Sequence, residues 1–134
     1  MHGRRLTAAA LGAAALMVAA APADARQVDV TESMSGTTVT VRTGDTIRIS
    51  LPANETTGYR WGLVKRPDRS VARITRRHYR PDGGGMPGAG GTQIFRLRST
   101  RSGRTRIAVA YAQVGSGTVG DTFSLRIRVR PRLS

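Results

Sequence analysis

The sequence predicts an all-β fold, an immunoglobulin-like β-sandwich of about seven short strands in a single domain with its loops gathered at one end. Apolar residues recur with period two in segment after segment, as strands with one buried face require, and helical periodicity is almost absent. Clusters of Gly, Pro, Asn, Asp and Ser punctuate these runs at short intervals. Setting aside residues 1–25 leaves 109 of 134 residues, enough for one modest core and not for two.

Residues 1–25 read as a signal peptide. Met1-His2-Gly3-Arg4-Arg5 is a basic start, Leu6 to Ala21 is a small apolar run, and Ala23-Asp24-Ala25 is a cleavage signal. The run is about 16 residues and mostly alanine, whereas a membrane span needs about 20. The expected product, residues 26–134, is exported, periplasmic or secreted, and soluble. With no cysteine in the chain it is not a lipoprotein and has neither disulfides nor thiol chemistry.

Val39 and Val41 begin the inward rows, followed by Ile47, Ile49 and Leu51 around Arg48. A strand opening with Tyr59 and Trp61 comes next, then a basic stretch, Arg76-Arg77-His78-Tyr79-Arg80. Phe95 and Leu97 alternate with Arg96 and Arg98, and Thr105, Ile107, Val109 and Tyr111 with Arg104 and Arg106. The clearest row is last: Phe123, Leu125, Ile127 and Val129 against Ser124, Arg126, Arg128 and Arg130. The arginines mark solvent faces, and Trp61 with the aliphatic rows must form the core. The glycine-rich segment 82–91 is expected to be a mobile loop.

Formal charge is +14, or +13 once residues 1–25 are removed (20 basic minus 7 acidic), and Lys65 is the only lysine. Such a balance favours acidic partners without specifying a fold. The mature segment offers only His78, seven carboxylates and scattered hydroxyls, with no catalytic triad motif and no metal-ligand spacing. Neighbouring arginines disfavour protonation of His78. The glycine run lacks the Gly-Lys-Ser/Thr of a phosphate-binding loop. The protein is therefore expected not to be an enzyme and to need neither cofactor nor metal. Tyr59, Tyr79 and Tyr111 could stack on bases beside the arginines, but the leader and the scarcity of aromatics argue against specific nucleic-acid recognition. Nonspecific adhesion to an anionic surface is the more reasonable expectation.

The informative stretch runs from Ile47 to Trp61: an alternating strand, the polar loop Asn54-Glu55-Thr56-Thr57-Gly58-Tyr59, then Arg60-Trp61. It resembles the first inhibitory loop of the chagasin-like inhibitors of papain-like cysteine peptidases, which reads Asn-Pro-Thr-Thr-Gly-Tyr/Phe followed closely by Trp. Glu55 stands where the family has proline. The resemblance implies a second loop of the form Gly-x-Gly-Gly before a strand, matched by Gly88-Ala89-Gly90-Gly91. It also implies a third loop, Arg-Pro-Trp, after the strand ending at Tyr111, but here the chain reads Ala112-Gln113-Val114.

By that resemblance the protein blocks the cleft of a papain-like cysteine peptidase reversibly, as a monomeric wedge of three loops. Thr56, Thr57 and Gly58 lie nearest the catalytic cysteine, Asn54 fixes the loop by bonding its own backbone, and the other loops flank the cleft. Losing an interface Arg and Trp, each often worth about 2 kcal/mol or more, weakens binding unless Gln113 or Val114 compensates. The alternative is a non-inhibitory module of the same fold that adheres to an acidic envelope component or polyanion.

Overall fold

The computed structural model describes residues 25–132, so the expected signal peptide lies outside the described residues apart from Ala25. Eight strands form: β1 (Gln27–Thr31), β2 (Thr37–Arg42), β3 (Thr46–Ala53), β4 (Tyr59–Lys65), β5 (Ala72–Pro81), β6 (Gly91–Ser99), β7 (Gly103–Gln113) and β8 (Val119–Arg130). The count exceeds the expected seven by β1, whose five residues carry only Val28 and Val30 as an alternating signal. It is stabilised by parallel pairing with β3, which local pattern does not reveal.

Two four-stranded sheets result, β1-β3-β6-β5 and β2-β8-β7-β4. Pairing is antiparallel except at one edge of each sheet, where β1 runs parallel to β3 and β2 parallel to β8. The alternating rows face one another between the sheets: Ile47, Ile49, Leu51, Phe95 and Leu97 from the first, Ile107, Val109, Phe123, Leu125 and Ile127 from the second. Each is at most 2% exposed, and burying such a side chain stabilises by about 1.5–3 kcal/mol. Trp61 of β4 is core as expected, and its indole N–H donates across the sandwich to the Pro52 carbonyl of β3 at 2.9 Å. That bond ties the sheets together in a chain without disulfides.

Segment 82–91, expected to be a mobile loop, has local order. Gly83–Gly85 make a short 3-10 turn, the Asp82 N–H donates to the Gly90 carbonyl at 2.9 Å, and Gly91 already belongs to β6. Register then determines what meets at one end of the sandwich. Gly91 pairs with both Ala53 and Pro81, so the end of β3, the end of β5 and the start of β6 share a rim. In the other sheet Tyr59 pairs with Gln113, and Ala112 with Val119. The β3–β4 connection crosses between the sheets and makes these two rims one.

Candidate functional site

Loop 1, between β3 and β4, is built by Asn54. Its side-chain oxygen accepts from the Thr56 N–H at 3.1 Å and from the Thr56 hydroxyl at 2.6 Å, while its carbonyl accepts from the Thr57 hydroxyl at 2.6 Å. Glu55–Thr57 form a single 3-10 turn, which Gly58 closes at φ 85°, donating its N–H to the Glu55 carbonyl at 3.1 Å. The turn thus forms without the proline the motif resemblance leads one to expect at 55. Thr56 and Thr57 are exposed, and Glu55, Gly58 and Tyr59 are half-buried.

Loop 2 connects β5 to β6 and loop 3 connects β7 to β8. Asn54 reaches loop 2 by donating its side-chain N–H to the Gly88 carbonyl at 3.4 Å. Gly90 lies against Ala53: a β-carbon there would sit 3.3 Å from the Ala53 carbonyl oxygen. On the other flank the Val114 N–H donates to the Gly58 carbonyl at 2.9 Å. Loop 3 folds on itself through Gln113 N–H to the Thr118 carbonyl, 2.8 Å, and Gly117 N–H to the Gln113 carbonyl, 2.9 Å. Loop 1 is therefore joined to a neighbour on each side.

Sequence-derived site residues separate into two groups. Asn54, Glu55, Thr56, Thr57, Gly58, Tyr59, Gly88, Ala89, Gly90 and Val114 meet on the rim. Gly91 does not present itself there: it is buried, and a β-carbon would fall 2.5 Å from the Tyr79 hydroxyl and 2.6 Å from the Arg80 carbonyl. Its role is packing. Ala112 and Gln113 are half-buried residues of the β4–β7 ladder, leaving Val114 as the projecting member of that trio.

Two features escaped the sequence. Tyr111 sits beneath loop 1, its ring 5.3 Å from Tyr59 and 5.1 Å from Trp61, and its hydroxyl bonds both backbone groups of Asn54. Met86 on loop 2 and Val119 at the start of β8 are 66% and 54% exposed, joining Val114 of loop 3, which is 66% exposed. These apolar side chains are thus available for contact from the loop end of the sandwich. Register between β4 and β7 sets Tyr111 opposite Trp61, but register is not readable from one strand. The loop segments 54–58, 82–90 and 114–118 contain Glu55 and Asp82 as their only charges, in a protein otherwise covered by arginine.

His78 stands outside this assembly, on the outer face of the first sheet. Its imidazole is held below the usual histidine range by desolvation first, then by Arg76, Arg80, Arg96 and Arg48. Among the described residues no group of three or more His, Cys, Asp or Glu could hold a metal ion. The rim contains no nucleophile paired with a base. What it offers is shape, backbone groups fixed by internal bonds, and apolar tips on both sides.

The family described as Chagasin family peptidase inhibitor I42 matches residues 40–127, a span that includes all three loops. The chain is similar to chagasin of Trypanosoma cruzi, 31% identical over 97 residues, covering 69% of this chain and 87% of that protein. It is also similar to amoebiasin-1 of Entamoeba histolytica, 27% identical over 106 residues, covering 77% of this chain and 100% of the relative. The crystal structure of the cysteine protease inhibitor EhICP2 from Entamoeba histolytica has the same fold, with a TM-score of 0.67 at 20% identity over 81% of this chain and 100% of that one.

Proposed function

This chain belongs to the chagasin family of peptidase inhibitors, and from that premise we propose that it blocks papain-like cysteine peptidases reversibly by seating its three-loop rim in the active-site cleft. The observation that carries the reading is the hydrogen-bonded continuity of the rim, with the Asn54 side chain bonded to Gly88 on one side and the Gly58 backbone to Val114 on the other. A wedge whose loops are already bonded to one another loses little conformational freedom on docking, and that preorganisation favours tight binding.

No step of this inhibition needs chemistry from the inhibitor, so the protein acts by binding and not as an enzyme. Thr56, Thr57 and Gly58 take the position nearest the peptidase cysteine, and Gly58 permits close backbone approach. A substrate must lie extended across the cleft, but here the chain turns at Glu55–Thr57 and is held turned by the Asn54 bonds. The peptide bonds at the tip are thereby kept out of cleavable register. Gly88 and Ala89 flank one side with Met86, and Val114 flanks the other with Val119. These apolar groups take over the contact area that Arg-Pro-Trp supplies elsewhere in the family. The leader-like residues 1–25 support action outside the cytoplasm.

The test is titration of active-site-quantified papain with the protein, following hydrolysis of a fluorogenic peptide at several substrate concentrations. Competitive inhibition at submicromolar concentration is expected. Absence of inhibition by folded protein would overturn the reading and favour an envelope-binding module.

A further inference from the structure

The outer face of the first sheet is a surface apart from the rim. Residues paired across antiparallel strands share a face, so the register sets Arg48 opposite Arg96, and Arg96 opposite Arg76, in one row across three strands. Arg98 and Arg73 form the next row on one side, and His78 and Arg80 continue the array on the other. From Arg73 to Arg80 it runs about 23 Å along β5, at about 3.3 Å per residue. Directly opposed side chains start only about 4.5–5.5 Å apart, and like charges so placed repel.

Among the described residues no acidic side chain lies within ion-pair distance of these arginines. Among the described residues Arg132–Asp45 is the one ion pair, and Asp29, the acid at the β1 edge of this face, bonds to Gln27 instead. The Nε atoms of Arg48 and Arg96 and the Nδ1 atom of His78 are buried without any partner. Buried polar atoms are nearly always satisfied, so three unpaired ones in adjoining positions show that the protein's own groups leave this row of side chains without partners.

The face also restricts the class of partner. Tyr59, Trp61 and Tyr111 stack at the rim, Phe95 and Phe123 are buried in the core, and Tyr79 of β5 packs against the core from the inner face, so this outer face presents no ring for base stacking. Ile94, the apolar residue between Ser50 and His78, is 1% exposed, and the exposed large apolar residues Val64, Met86, Val114 and Val119 lie on β4, on the rim loops and at the start of β8. A flat basic strip without aromatic or apolar anchors fits a flexible chain of anions.

We propose that the outer face of the first sheet binds an anionic polysaccharide, its sulfate or carboxylate groups lying along the row formed by Arg48, Arg96 and Arg76. Because this face is not the rim, the domain can be held on an anionic matrix with its loops free.

The test measures binding to heparin and to polygalacturonate, which separates sulfate from carboxylate recognition, while NMR follows the His78 imidazole. Binding should weaken steeply with salt and raise the His78 pKa, because bound anions offset the four neighbouring arginines. The triple variant Arg48→Ser, Arg76→Ser, Arg96→Ser should lose at least tenfold in affinity. The matched triple Arg104→Ser, Arg106→Ser, Arg128→Ser on the second sheet should lose less than threefold. Equal losses in the two triples, or an unmoved His78 resonance in saturated wild-type protein, would overturn the proposal, and the latter needs no variant to fold. Tighter binding to oligothymidylate or to phosphatidylglycerol vesicles than to either polysaccharide would also overturn it. Papain inhibition is read separately, so its absence bears on the rim alone, whereas relief of inhibition by heparin would refute the independence of the two surfaces.

Discussion

The hydroxyl of Tyr111 accepts from the Asn54 N–H at 2.8 Å and donates to the Asn54 carbonyl at 3.3 Å, so one strand side chain holds both backbone groups of the residue that builds loop 1. Tyr111→Phe keeps the ring in its stack with Tyr59 and Trp61 and removes only these bonds. A typical bond contributes about 0.5–1.5 kcal/mol net, and orphaning a partly buried N–H adds to the loss. We expect a stability decrease of about 1–2 kcal/mol by urea unfolding, with weaker inhibition of papain through faster dissociation. Unchanged values for both would show that the stack alone positions the loop.

Thr57 and Asn54 should separate contact from construction. Thr57 is exposed, its hydroxyl bond to the Asn54 carbonyl duplicates one made by its own N–H at 3.2 Å, and the hydroxyl otherwise accepts only a long bond, 3.4 Å, from the Tyr59 N–H. Thr57→Arg should shift stability by no more than about 0.5 kcal/mol, as surface changes usually do, yet reduce inhibition at least tenfold. Asn54→Ala removes the acceptor of two bonds and should cost about 1 kcal/mol, the usual loss for such a cap. A thermal melt beside the papain titration distinguishes the two cases. Full inhibition by the Thr57 variant would remove loop 1 from the mechanism.

Gly58 and Gly91 need glycine for different reasons. At Gly58 a β-carbon would find Gln113 Cγ at 3.9 Å, which is ordinary contact, so the penalty for Gly58→Ala is the left-handed backbone at φ 85°, about 1–2 kcal/mol. At Gly91 the obstacle is backbone and a tyrosine ring within 2.6 Å, which cannot be avoided without moving β5. Gly91→Ala should therefore destabilise more than Gly58→Ala, and circular dichroism melts would rank them. The reverse order would contradict the close packing of β5 against Gly91.

Much of this was legible in sequence because the chemistry was local. Period-two rows exposed the core of β3, β7 and β8 residue by residue, and Asn54, Thr57 and Gly58 form a loop whose bonds close within five residues. What stayed hidden depends on register. β1 is too short to signal itself and exists through a parallel pairing with β3. Gly91 looked like a loop residue until β5 and β6 were aligned, and Tyr111 looked like one more inward side chain until β4 lay beside β7. Met86 was obscure because an apolar residue in a loop carries no periodicity, and Val119 because it stands at the exposed start of β8.

Those two apolar residues, with Val114, supply a test of the altered third loop. Val114→Asp places a charge on a tip that is 66% exposed, so folding should be unaffected while inhibition weakens about tenfold or more, since an unpaired carboxylate would be desolvated in the cleft. Val64→Asp, on a residue equally apolar and 71% exposed but near the far end of β4, is the control and should inhibit normally. Equal effects of the two would mean that added acidity, and not the position of Val114, governs binding.

Asp45 makes the fold's stability sensitive to acid. It is 1% exposed, and burial alone would raise its pKa, but the N–H groups of Arg42 and Arg26, at 2.9 and 3.0 Å, and the Arg132 guanidinium hold the carboxyl below the usual aspartate value. A carboxyl whose folded pKa is depressed contributes stability that is fully present above the unfolded value, about 3.9, and is lost as pH falls through the folded value. The urea midpoint should therefore decline as pH drops below about 4. Asp45→Asn should have a lower midpoint at neutral pH and a shallower decline in acid, because the group that must be protonated is gone. The remaining slope belongs to Asp68, held low by its bonds to Ser70 and exposed enough to contribute less, and to growing repulsion among the arginines. Parallel acid profiles for wild type and variant would place the sensitivity elsewhere. Since Asp45 holds the backbone before β1, the end of β2 and Arg132 beyond β8, its loss should loosen the β1 and β2 edges of the two sheets and leave the loop rim at the opposite end intact.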